Sequence, residues 1–100
     1  MGYVSNASAT TIAKTPKGKV TANTGSKTLI ADNRDRIRAF VSNNGANDVW
    51  LALGTTAVAE EGILLKKEGG GNQPFQLEGY TGIITVITKT GESVVSFSEA

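Results

Sequence analysis

The stretch from Asp32 to Leu53 constrains the fold of this chain more than any other. Its first arm, Arg36-Ile37-Arg38-Ala39-Phe40-Val41-Ser42, alternates at period two. Ile37, Ala39 and Val41 then share one face of a strand, and Arg36, Arg38, Phe40 and Ser42 the other. The second arm, Asp48 to Leu53, sets Val49, Leu51 and Leu53 against Trp50 and Ala52 in the same way. Between the arms, Asn44-Gly45 supplies residues that tolerate the positive φ of a tight reversal. The expectation is a β-hairpin.

The remaining segments fit the same architecture. Lys19–Ala22 and Lys27–Ala31 read as strands around a turn at Asn23-Thr24-Gly25-Ser26, the second rich in β-branched residues. Ile63-Leu64-Leu65 reads as a short buried strand and Pro74–Leu77 as another. Tyr80–Thr88 is apolar on both faces, which predicts a central strand covered twice. Thr90-Gly91-Glu92 turns the chain into Ser93–Ser98, with Val95 and Phe97 inward. Gly54–Gly62 is a loop with at most one helical turn. Lys66–Gln73, with three successive glycines, offers the backbone no restraint and predicts a flexible loop. It is not a phosphate cradle, because a strand follows it where such a cradle needs a helix. About seven short strands with polar turns predict an all-β protein, an antiparallel β-sandwich or flattened barrel.

Composition narrows the chemistry. The chain of 100 residues has no cysteine and no histidine. A disulfide framework and a thiol nucleophile are therefore excluded, and the commonest general base and metal ligand are missing. Glu60 and Glu61 are adjacent and point apart if extended, so no carboxylate pair is suggested. Asp32, Asp35 and Asp48 lack the dense loop spacing of a calcium site. No cofactor and no enzymatic activity are expected. Ten basic residues stand against nine acidic ones, which argues against a nucleic-acid binder. No apolar run approaches the roughly eighteen residues of a membrane span, and the N-terminus lacks the pattern of a signal peptide. Synthesis in a cytoplasm follows as the expectation. Asn6-Ala7-Ser8 matches a glycosylation sequon and is read as chance in that setting.

Two segments are candidates for contact. Residues 1–18 are polar and small, with Lys14 and Lys17 and no acid; Lys19 follows. They read either as a frayed terminus or as an extended arm that orders on a neighbouring subunit. In the second reading Tyr3, Val4 and Ile12 are the apolar anchors, and Lys14, Lys17 and Lys19 face acidic surface. The domain would then begin at residue 19 and run to residue 100. Arg34, Arg36 and Arg38 fall on one side of a strand at period two. They read as a solvated or aggregation-resistant edge, as a subunit interface, or as a phosphate site. Trp50, Phe40 and Phe75 are each core or contact residues, and one of them exposed beside an apolar patch would mark an interface.

Asn33-Arg34-Asp35-Arg36, Val41-Ser42-Asn43-Asn44-Gly45, Val49-Trp50-Leu51-Ala52-Leu53-Gly54, Gly62-Ile63-Leu64-Leu65 and Tyr80-Thr81-Gly82 form a pattern. From Lys27 to Glu99 it resembles the small β-sandwich structural proteins of tailed bacteriophages: capsid decoration or cement proteins and head- or tail-associated components. Those proteins have a proline-glycine turn soon after the Gly-Ile-x-Leu strand, where this chain has the longer Lys66–Gln73. The resemblance implies a non-enzymatic virion protein that binds the major capsid protein lattice or neighbouring virion subunits. A homo-oligomer, trimer or dimer, is the expected form. Trp50 and the three arginines would be contacts of the body. The competing expectation is a tail- or fibre-associated module binding carbohydrate through Trp50, Tyr80 and Phe75.

Overall fold

The structure, a computed structural model, describes residues 17–100. Eight strands account for its regular part: β1 (Lys17–Ala22), β2 (Lys27–Ile30), β3 (Arg38–Asn43), β4 (Val49–Leu53), β5 (Ile63–Leu65), β6 (Phe75–Glu78), β7 (Ile84–Thr88) and β8 (Ser93–Glu99). They form two four-stranded sheets, ordered β1-β8-β3-β6 and β2-β7-β4-β5. Every pairing is antiparallel. The chain changes sheet at each connection except β4 to β5. Pairing first strand with last, second with seventh, third with sixth and fourth with fifth is jelly-roll connectivity, a long hairpin rolled into two layers. The expected antiparallel sandwich is therefore present, with eight strands.

Alternation builds the core between the layers. Ala39, Val41, Val95 and Ala22 from the first sheet meet Val49, Leu51, Ile84 and Val86 from the second. All five residues of β7 are buried, as its two-sided apolar pattern requires for a strand between β2 and β4. The largest fully buried side chains are aliphatic or polar, Leu51 and Ile84 first; no aromatic is among them. Phe75, Phe97 and Tyr80 pack against the margin of the core.

The central stretch is not a hairpin. β3 pairs with β6 and β8, β4 with β5 and β7, and residues 44–48 cross from one sheet to the other. Facing sheets lie about 10 Å apart, a gap five residues span easily. Gly45 has no positive φ. It is needed because a Cβ there would overlap Ser93 Oγ and the Val94 backbone. The crossover is held by Asn43, whose Nδ2 donates to Asn47 O (2.8 Å) and Leu65 O (3.0 Å). Its Oδ1 accepts from Gly45 N (3.1 Å) and Ser93 Oγ (2.6 Å).

The alternation also fails at one point. Ile37, expected inside, is 62% exposed, and Arg36, expected outside, is 4% exposed. The cause is local: the amides of Ile37 and Arg38 both donate to Ala100 O (2.8 and 3.1 Å). Two residues oppose one, as in a β-bulge, and the phase inverts below it. Residues 54–62 contain no helical turn. Lys66–Gln73 is more restrained than its glycines suggest, with a 3-10 turn at Lys67–Gly69. Lys67 N donates to Asp48 Oδ1 (2.9 Å), Glu68 N to Gly45 O (2.9 Å), and Gln73 Nε2 to Lys66 O and Gly70 O (2.7 and 2.6 Å).

Lys17 and Lys19 belong to edge strand β1, so the sheet starts before the expected boundary at residue 19. Tyr3, Val4, Ile12, Lys14 and the sequon at Asn6 lie outside the described residues.

Candidate interaction surfaces

The outer face of the first sheet is built from the residues that alternation turns away from the core: Lys17, Lys19 and Thr21 of β1, Val94, Ser96 and Ser98 of β8, Arg38, Phe40 and Ser42 of β3, and Gln76 and Glu78 of β6. Phe40 is the only aromatic among these. It lies opposite Ser98 on one side and Gln76 on the other. Ser42, Ser96 and Ser98 are too short to cover a benzene ring, so Phe40 stays half-buried and stands beside a shallow groove of about 310 Å³. Lys17 and Pro74 reach the same groove. Nearby on this sheet Val94 is 37% exposed. An aromatic with small hydroxyl neighbours and a lysine edge can supply a desolvated anchor with a polar rim.

The three arginines are not one row. Arg34 is exposed in the turn before β3, Arg38 is half-exposed on the outer face, and Arg36 is buried. Arg36 Nε donates to Glu99 Oε1 (2.8 Å), and its terminal nitrogens to Tyr80 O (2.8 Å), Gly82 O (3.1 Å) and Ala31 O (2.8 Å). Asn33 Nδ2 also reaches Glu99 Oε1 (3.2 Å). Buried and bonded to Glu99 and to three backbone carbonyls, Arg36 clasps the end of β8 to the loops around it. Arg38 lies 3.9 Å from Glu78 with both side chains well exposed, a pair of little energetic weight.

Trp50 lies on the opposite side of the molecule, on the outer face of the second sheet. Its cross-strand neighbours are Leu64 on β5 and Ile87 on β7. Leu64 is 43% exposed and Ile87 buried, so the indole half-covers a short apolar row. Phe75 faces inward, and the Tyr80 hydroxyl donates to Ile83 O (2.8 Å). The three aromatics expected as a sugar platform are thus not brought together. Among the described residues no group of three or more Asp or Glu side chains is placed to hold a metal ion.

Comparisons with family models, with curated proteins and with solved structures return no match to this chain. The two surfaces are therefore interpreted from their own geometry. Trp50 was visible in the sequence as a contact candidate. Phe40 was visible only as core or contact, and the serines that expose it acquire meaning once β8 is known to lie beside β3.

Proposed function

We propose that this chain is a non-enzymatic structural subunit of a phage virion, of the capsid decoration or cement type, which binds and stabilises the lattice of the major capsid protein. The observation that carries the reading is Phe40, an aromatic spent on an outer face among serines while the core is filled by smaller aliphatic groups. A sandwich of this size buries little, and such domains gain stability from neighbours. The contact runs over the outer face of the first sheet, through Phe40, Val94 and Arg38, with Lys17 and Lys19 along its edge. Tyr3, Val4, Ile12 and Lys14, outside the described residues, supply further contacts to a neighbouring subunit in this reading. Arg36 stabilises the body and takes no direct part. The resemblance of the Asn33–Gly54 motifs to phage structural proteins supplies the virion setting, and the jelly-roll connectivity agrees with it because viral capsid domains use the same wiring.

Quantitative mass spectrometry of virions purified from a bacterial host carrying the encoding phage tests the proposal. The expected result is the chain in purified particles at a fixed ratio to the shell subunit. Recovery solely from the soluble lysate would contradict it.

A further inference from the structure

A second concavity lies at the end of the sandwich where β4 begins and β7 ends. Asn47 and Asp48 of the crossover, Trp50, Lys67 of the 3-10 turn, and Lys89 and Thr90 beyond β7 line it. It encloses about 220 Å³, below the roughly 300 Å³ at which pockets for drug-sized ligands begin, so it suits one ring and not a chain of them. The indole contributes an apolar, electron-rich surface. Around it stand a carboxylate acceptor (Asp48), two ammonium donors (Lys67, Lys89) and a hydroxyl that both donates and accepts (Thr90).

This mixture discriminates among ligands. A phosphate would meet the Asp48 carboxylate. A wholly apolar ring would strip water from three charged groups without replacing its hydrogen bonds. A ring with an apolar C–H face and a rim of hydroxyls satisfies both halves, because each hydroxyl can donate to a carboxylate while accepting from an ammonium. The backbone and the Asp48 side of the lining are held in place beforehand, which lowers the ordering cost of binding. Asp48 Oδ1 accepts from Lys67 N (2.9 Å), Asn47 Nδ2 donates to Glu92 O (2.8 Å), and Lys89 Nζ is paired with Glu60 Oε2 (2.9 Å). β4 is paired on both sides at Trp50.

We propose that this cleft binds one pyranose unit of a saccharide, its C–H face on Trp50 and its hydroxyls on Asp48, Lys67 and Thr90. The site is on the opposite sheet from Phe40 and does not rest on the virion reading. Trp50 is the one tryptophan of the chain, so emission excited at the red edge, where the two tyrosines absorb little, reports on this indole. The full-length protein is titrated with glucose, galactose and N-acetylglucosamine, with soluble surface polysaccharide of a bacterial host, and with inorganic phosphate and cyclohexanol as controls. At least one pyranose, as free sugar or polysaccharide unit, is expected to give a saturable change, with a Kd for the free sugar on the order of 1–10 mM. A response to polysaccharide alone also supports the site and places the sugar within a polymer. Thr90→Val and Lys67→Met, both at exposed positions, should each weaken that binding about fivefold or more with the thermal midpoint unchanged. No saturable response to any saccharide, an equal response to phosphate or cyclohexanol, or binding that survives both substitutions overturns the proposal.

Discussion

Arg36 delivers four hydrogen bonds from one guanidinium, one to a carboxylate and three to backbone carbonyls. Removing it leaves Glu99 buried without its cation and three carbonyls without their donor. Arg36→Ala is therefore expected to lower stability by about 3–5 kcal/mol, measured by urea unfolding. Arg36→Lys should recover little of this, since an ammonium has three donors and no planar fork. An Arg36→Ala protein as stable as the parent would remove the clasp from the account. At Gly45 the expected cost of alanine is about 1–3 kcal/mol by the same assay, because the new methyl meets Ser93 Oγ and the fixed Val94 amide. A neutral Gly45→Ala would mean the crossover has slack that its geometry does not show. Neither residue announced its role in the sequence. Arg36 sat in a regular alternation whose phase a bulge at Ile37 and Arg38 inverts, and that bulge depends on Ala100, far away along the chain. Gly45 suited a positive-φ turn equally well.

Within the strands, period two reports which side chains face the core and is silent about which strand lies alongside. Val49, Leu51 and Trp50 take the sides the alternation assigns, and Phe40, open between core and contact in the sequence, lies on the outer face with Arg38 and Ser42. The partner of β3 was not legible, because both arms around Asn44-Gly45 present one apolar face and so fit one sheet or two facing sheets equally. The deciding groups are Asn43 and Ser93, which satisfy the crossover only when β8 is present. The loop at Lys66–Gln73 escaped for a related reason: besides the bonds of its own Gln73, its restraint comes from Asp48 and Gly45, outside the segment. The assignment of faces predicts a contrast between neighbouring strands. Leu51→Ala should cost about 2–5 kcal/mol and Leu64→Ala about 0.5 kcal/mol or less in chemical denaturation. Equal costs would contradict the inward and outward faces of the second sheet.

For the molecule as a whole, a small aliphatic core carries an outer face that, under the proposed function, neighbouring subunits complete. The all-β architecture was legible from strand patterning and turn residues; the candidate surface was legible only in part, since it is assembled from β1, β3, β6 and β8. Because β1 starts at Lys17, a chain beginning at that residue keeps every described strand. It is expected to fold with the cooperativity of the full-length protein, read from its urea m-value, while losing most of its attachment to the shell. Attachment equal to that of the full chain would remove the arm from the contact. The most direct measurement uses Phe40→Ser, which deletes the anchor and leaves the core untouched. Its copy number per purified virion, compared with the parent at matched thermal stability, should fall about tenfold or more. An unchanged copy number in particles would contradict the claim that this face is the one its neighbours complete.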